Sequence, residues 1–280
     1  MNRPSTATGL LGDTTARDYS RKLRLFNACA EPELRQAIAS LKLAPGMCVL
    51  DAGCGTGAAL EWLRDAVGDD GRVVGLELSA AHVIAARRTV SPLTLIVQAD
   101  VLKLPLADAA FDLIWCVNTI NHLRDPVIGI ERLRALLRRG GRMVLGQSSL
   151  LPDMYFAWDS RLERVINDAV RQYYRDRYQL EERDLTAIRS IVGVLRKAKM
   201  RNVTARTFMI ERVSPLSASD QAYLLEAIFQ DTWDERLRPY LSGDDYQELS
   251  RLCDPLSPAF ALHRSDFHFL QTFSVVVGEA

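Results

Sequence analysis

The sequence predicts an α/β fold built around a parallel sheet, and three observations carry that prediction. Short apolar runs alternate with amphipathic segments at helical spacing: Met47–Leu50, Val73–Leu76, Leu93–Val97, Phe111–Val117 and Met143–Leu145. The first run ends in a glycine-rich turn, Gly53, Gly55 and Gly57, that leads straight into a helical pattern. The runs are apolar throughout instead of alternating with polar residues, as strands covered by helices on both faces must be.

In chain order, Met1–Thr15 is polar, with Leu10-Leu11 as its only apolar pair, and reads as a flexible tail over 1–15. Leu23, Phe26, Ala30, Leu34, Ile38 and Leu41 recur at helical spacing, and Glu31-Pro32 suggests a break that starts a second helix. Ser79 is placed to cap the helix after the second strand. Ile130, Leu133 and Leu137 form the helix before the fifth strand. A core with N-terminal helices thus spans 16–149. Leu162, Val165, Ile166, Ala169, Val170, Tyr173 and Tyr174 then mark a helical insertion over 150–183. A helix through Leu185, Ile188, Ile191, Val192 and Leu195, with a strand at Val203–Ile210, returns to the core over 184–213. A second helical insertion occupies 214–260, and 261–280 holds the last strand, near Phe267–Val277.

At 280 residues the chain can bury about three-quarters of the surface its unfolded form exposes, so its core needs neither disulfides nor metal. Its 35 basic and 35 acidic residues cancel, which argues against affinity gained mainly by neutralising nucleic-acid phosphates. Five cysteines, odd in number and without a C-x-x-C pair, suggest no disulfide framework and no metal site, and fit a reducing, cytoplasmic compartment. No apolar run approaches the roughly 18 residues of a membrane span.

Three glycines in one strand-to-helix turn let a ligand approach the backbone closely. The spacing is G-x-G-x-G, with Asp51 just before it and Ala58-Ala59 after it, so neither the dinucleotide fingerprint nor a phosphate-cradling lysine is present. Asp51 suits a cationic group better than a pyrophosphate. Glu77, at the end of the second run, stands where an acid accepts hydrogen bonds from the hydroxyls of a ribose.

These residues resemble the class I S-adenosylmethionine (SAM) methyltransferases, within the branch that includes ubiquinone- and menaquinone-type enzymes. Val49–Gly57 is similar to the family's first motif, with Asp51, Gly53, Cys54, Gly55 and Gly57 facing the methionine part of SAM. Gly71–Ser79 is similar to the second, with Glu77 and Leu78 at the ribose and Glu in place of the commoner Asp. Gln98–Val101 with Leu104-Pro105 resembles the third, in which Asp100 meets the adenine amino group and the Val101 amide a ring nitrogen. Phe111–Leu123 and Arg138–Leu145 resemble the strand beside the sulfonium and the turn into strand five. The resemblance covers about Leu41–Ser148 and implies a Rossmann-like seven-stranded sheet of order 3-2-1-4-5-7-6, with the insertions as a helical lid. It also implies methyl transfer from SAM, with S-adenosylhomocysteine as product.

Methyl transfer from a sulfonium is an in-line displacement, so positioning and exclusion of water dominate, and a base helps only where the nucleophile must lose a proton. His122, after strand four at the carboxyl edge of the sheet, is the candidate base, and Asn118 on the same loop a candidate SAM contact. Tyr19 is placed to close over the cofactor, and Tyr155 and Trp158, in a ring-rich stretch of the first insertion, to contact the acceptor. The reading is therefore a methyltransferase acting on an O or C atom of a small aromatic or lipophilic metabolite, without nucleic acid, membrane span or metal, and compatible with a homodimer. The alternatives are a cyclase or isomerase that uses bound SAM without methylating and, on weaker grounds, a tRNA or protein methyltransferase. Cys54 and Cys116 invite comparison with thiolate-dependent arsenite enzymes, but the additional paired cysteines are lacking.

Overall fold

The computed structural model describes residues 11, 13–149, 154–156, 158–180 and 187–280. The expected boundaries at 150 and 183–184, Leu185 of the expected core helix and most of the expected tail lie outside these residues.

Runs without a polar face become strands β1 (Cys48–Ala52), β2 (Arg72–Glu77), β3 (Leu95–Gln98), β4 (Phe111–Val117) and β5 (Leu137–Ser148), joined in parallel through β2, β1 and β4. A two-residue strand β6 (Tyr155–Phe156) and the long strands β7 (Arg201–Val213) and β8 (His268–Glu279) complete the sheet. β8 runs antiparallel between β5 and β7, while β6 pairs with the start of β8 on the β5 side. With the short β6 set aside, the order is the expected 3-2-1-4-5-7-6. The turn expected at Arg138–Arg142 is a bulge inside β5: the chain loops out between the pairs Phe111/Leu137 and Leu113/Arg142, with Gly140 at φ +77°.

Helices α1 (Ser20–Ser40), α2 (Ala58–Val67), α3 (Ala80–Arg87) and α4 (Pro126–Leu136) belong to the first half, and the later segments supply α5 (Ser160–Tyr178) and α6 (Ala187–Lys197). Ser79 caps α3 by accepting from the His82 amide, and Asp125 caps α4 by accepting from Ile128. The break expected at Glu31-Pro32 is absent. Pro32 sits inside a continuous α1 whose Ala30, Leu34, Ala37 and Ile38 remain buried, so packing of that face outweighs one lost backbone hydrogen bond. Between β7 and β8 the chain forms α7 (Ala218–Ala222), a π-helix over Tyr223–Trp233, α8 (Asp234–Leu237) and α9 (Gly243–Cys253).

The sheet separates two cores. Leu60, Leu63, Val83 and Trp115 pack on the side of α1 and α2, and Ile114, Ile130, Leu133 and Leu195 on the side of α4 and α6. Because β1, β2 and β4 run in parallel, their carboxyl ends and the loops that follow gather at one edge.

Candidate functional site

At that edge lies a cavity of about 300 Å³. The chain after β1 is tied down by the Gly53 and Cys54 amides, which both donate to the Leu76 carbonyl at 2.8 and 3.0 Å. Gly53 has φ +85°, and a Cβ on it would lie 2.1 Å from Thr119 Oγ1, so the loop after β4 leaves room only for glycine. Gly53, Cys54 and Gly55 line the cavity. Gly57 does not: at φ +89° it faces Val90 and Ala86, and close packing of α2 against α3 accounts for it.

Two carboxylates face the same space. Glu77 Oε2 accepts from the Gly55 amide and Oε1 from the Ser79 amide, each at 2.9 Å. His82, 1% exposed, accepts the Tyr19 amide on Nε2 at 3.2 Å, so its proton sits on Nδ1, 3.5 Å from Glu77 Oε1. Burial alone would raise the Glu77 pKa, but the His82 contact and the two amides outweigh it and hold the carboxyl below its usual range. Asp51 has no such help. Its Oδ2 is buried without a hydrogen-bond partner, and desolvation, reinforced by the Glu77 charge, pushes its pKa up to about 8.

Leu78, Asp100 and Val101 line the next part of the cavity, and Asp100 Oδ1 accepts the Leu102 amide at 2.8 Å. Asn118, at φ +52°, spends its Oδ1 on the Ser148 amide and hydroxyl at 2.8 and 3.0 Å, fastening the end of β4 to β5. His122 sits in a single 3₁₀ turn, Ile120–His122, with Nδ1 2.9 Å from Asp13 Oδ2 and its ring parallel to that of Tyr19. Asp13 is therefore no part of a loose tail: it is 7% exposed, ion-paired with Arg17 at 2.8 Å, and lines the cavity with Thr14, Arg17 and Tyr19. The apolar wall comes from Leu23 and Phe26 of α1, Trp62 of α2, and Trp115 and Val117 of β4.

Tyr155 and Trp158 are not brought to this cavity. Tyr155 is 57% exposed, and Trp158 stacks on Phe156 at 4.6 Å in a separate ring cluster. Pairing of Tyr155 and Phe156 with β8 holds this stretch there. The thiols of Cys54 and Cys116 are pushed up by burial, Cys116 to about 12, so neither supplies a thiolate. Sequence reading missed Asp13, Arg17, His82 and the wall residue Trp62. His82 had a signal, three residues beyond a capping serine in the loop that carries Glu77. Asp13, in a polar terminal stretch, had none.

A family described as a methyltransferase domain matches residues 50–145. That stretch is a methyltransferase domain. Among curated relatives, the 27-O-demethylrifamycin SV methyltransferase of Amycolatopsis mediterranei is 33% identical over 117 residues, 40% of this chain and 42% of the relative. The chain spans under half the length of the curated relatives it matches first. A SAM-dependent methyltransferase from Aquifex aeolicus superposes with TM-score 0.52 at 19% identity, covering 68% of this chain and 92% of that one. The (4+2)-cyclase SpnF superposes with TM-score 0.51 at 17% identity, covering 93% of each chain. At these identities the two structures speak to the fold of the domain. Among the described residues no helix is long and apolar enough to cross a membrane, and no cluster of metal-ligating side chains occurs.

Proposed function

We propose that this domain moves a methyl group from SAM to an oxygen or carbon atom of a small aromatic or lipophilic acceptor. The observation that carries the reading is one cavity in which buried carboxylates at the ends of β1 and β2 meet an apolar wall and a histidine. The residues fit SAM: the unpartnered Asp51 Oδ2 suits a cationic ammonium, Glu77 retains lone pairs for a ribose diol, and Asp100 and the Val101 amide suit an adenine edge. When bound, SAM supplies an electrophilic methyl group on a sulfonium. Phe26, Trp62, Trp115 and Val117 offer an apolar acceptor a place to lie and exclude water from it. Tyr19, lying edge-on to His82 at 4.4 Å and parallel to His122, closes the cavity from the segment before α1. His122 takes the proton of an acceptor hydroxyl as it attacks. Five free thiols support a reducing, cytoplasmic setting.

The test is calorimetric titration with SAM, S-adenosylhomocysteine and NAD. Micromolar binding of the two sulfur ligands with NAD silent supports the cofactor assignment; silence from all three removes it. A cyclase or isomerase, the second reading favoured by the likeness to SpnF over most of the chain, consumes acceptor without releasing S-adenosylhomocysteine. Release of that product in step with acceptor loss excludes it.

A further inference from the structure

We infer that Asp13, on the segment leading into α1, is a positioning residue for His122: it binds the Nδ1 proton and leaves Nε2 free to accept a proton in the cavity. The inference takes its catalytic consequence from the proposed methyl transfer, while the contact stands on geometry. Asp13 Oδ2 lies 2.9 Å from His122 Nδ1, and Oδ1 lies 2.8 Å from Arg17. Although burial opposes it, the His122 contact, the Arg17 charge and the Leu11 backbone keep the Asp13 carboxyl below its usual range. An ionised carboxylate only accepts, so Nδ1 must donate and the neutral ring presents its lone pair at Nε2. The stacked Tyr19 ring, 6.5 Å away and within 5° of parallel, fixes the plane of the imidazole.

The segment that carries Asp13 is itself held at the cofactor side. Ala80 N donates to the Thr15 carbonyl at 3.0 Å, Ser79 Oγ donates to the Arg17 carbonyl, and Tyr19 N donates to His82, whose other nitrogen approaches Glu77. A residue 109 positions away in sequence thus sets the tautomer of the base, from the same support that orders the ribose carboxylate.

The experiment records imidazole ¹⁵N shifts in ligand-free protein under alkaline conditions, with the His122 signal assigned by His122→Gln. The wild type is expected to show protonated Nδ1 and unprotonated Nε2. Asp13→Ala is expected to move the proton toward Nε2, and Asp13→Glu to restore the wild-type pattern. With SAM and a simple phenol as acceptor, Asp13→Ala is expected to lower kcat about 30-fold with the KM for SAM within about 3-fold, a loss below that of removing a general base. Calorimetry with SAM shows whether the variant still folds around the cofactor, and Asp13→Val, which likewise offers no acceptor, serves if the alanine variant does not. A wild-type spectrum with protonated Nε2, or variants with unchanged spectrum and kcat, would overturn the inference. Absence of methyl transfer by the wild type counts against the proposed function, and the spectrum still decides the role of Asp13.

Discussion

The cavity under the segment 13–19 and the ring cluster around Phe156 both gather aromatic side chains, but they differ in what else they bury. Trp62, Trp115, Phe26 and Tyr19 share the cavity with Asp13, Asp51, Glu77 and His122. In the cluster, Phe156, Trp158, Phe229, Trp233, Phe267 and Phe269 pack against one another, and the only polar side-chain atoms of these six are two indole nitrogens, both without a partner. Buried charge is costly unless it is matched, so its presence distinguishes a site from a core more sharply than the density of rings. Within the cavity the contrast sharpens again: Glu77 is matched by the protein, and Asp51 is left for a ligand.

The strongest test of this contrast removes the matched charge. Glu77→Ala leaves the Gly55 and Ser79 amides without their acceptor, strips the carboxylate from beside His82 Nδ1, and takes away the proposed ribose contact. Hydrogen bonds to charged groups contribute about 1.5–3 kcal/mol each, so an unfolding free energy lower by roughly 2–4 kcal/mol and SAM binding weaker by about 100-fold are expected. Denaturant unfolding and calorimetry check the two halves. Unchanged values in both would mean that the carboxylate is ornamental and that the difference between the two regions carries no functional meaning.

Removing the unmatched carboxyl acts in the opposite direction on stability. Asp51 has a folded-state pKa raised to about 8 against an ordinary 3.8. Between those values the folded state holds one more proton than the unfolded state, so the contribution of Asp51 is fully present below the lower value and is lost as pH rises through the upper one. The slope is at most about 1.4 kcal/mol per pH unit. Asp51→Asn is expected to flatten it, leaving a protein at least as stable as the wild type at pH 8 but about 10-fold weaker for SAM. Neutral-pH binding of a cation beside Asp51 should also release close to one proton, read by titrating in buffers of different ionisation enthalpy. A variant whose stability follows pH as the wild type does would place the buried proton elsewhere.

What the sequence disclosed follows from range. Gly53, Gly55, Asp51, Glu77 and His122 stand at the ends of apolar strands, and parallel strands deliver their carboxyl ends to one edge, so local pattern and topology suffice to bring them together, whereas Asp100 was reached through the family resemblance. Sheet order is different in kind: it followed from the family resemblance, because local strand patterns do not say which strands lie side by side. Pro32 was misread as a break because helix propensity is local, whereas the burial of Leu34 and Ile38 that sustains α1 is tertiary. Asp13 became visible only through its contact across 109 positions, and nothing in a polar terminal stretch announces a buried carboxylate. Tyr155 and Trp158 lie away from the cavity because a two-residue strand, too short to leave a pattern, ties Tyr155 and Phe156 to β8, and Trp158 stacks on Phe156.

Substitution in the ring cluster or at Tyr155 beside it should therefore produce the smallest effects. Tyr155 is 57% exposed, and replacing such a residue changes stability by no more than about 0.5 kcal/mol in either direction. Trp158→Phe removes an indole N–H that has no partner and keeps a ring against Phe156, so the loss is limited to the stacking difference, about 1 kcal/mol. Neither variant touches a group that lines the cavity, so SAM affinity and the KM for an apolar acceptor should match the wild type within experimental scatter. A selective rise in acceptor KM for Trp158→Phe, with SAM binding and unfolding unchanged, would show that the insertion reaches the acceptor after all. The ring cluster would then belong to the site, and the absence of buried charge would no longer mark it as core.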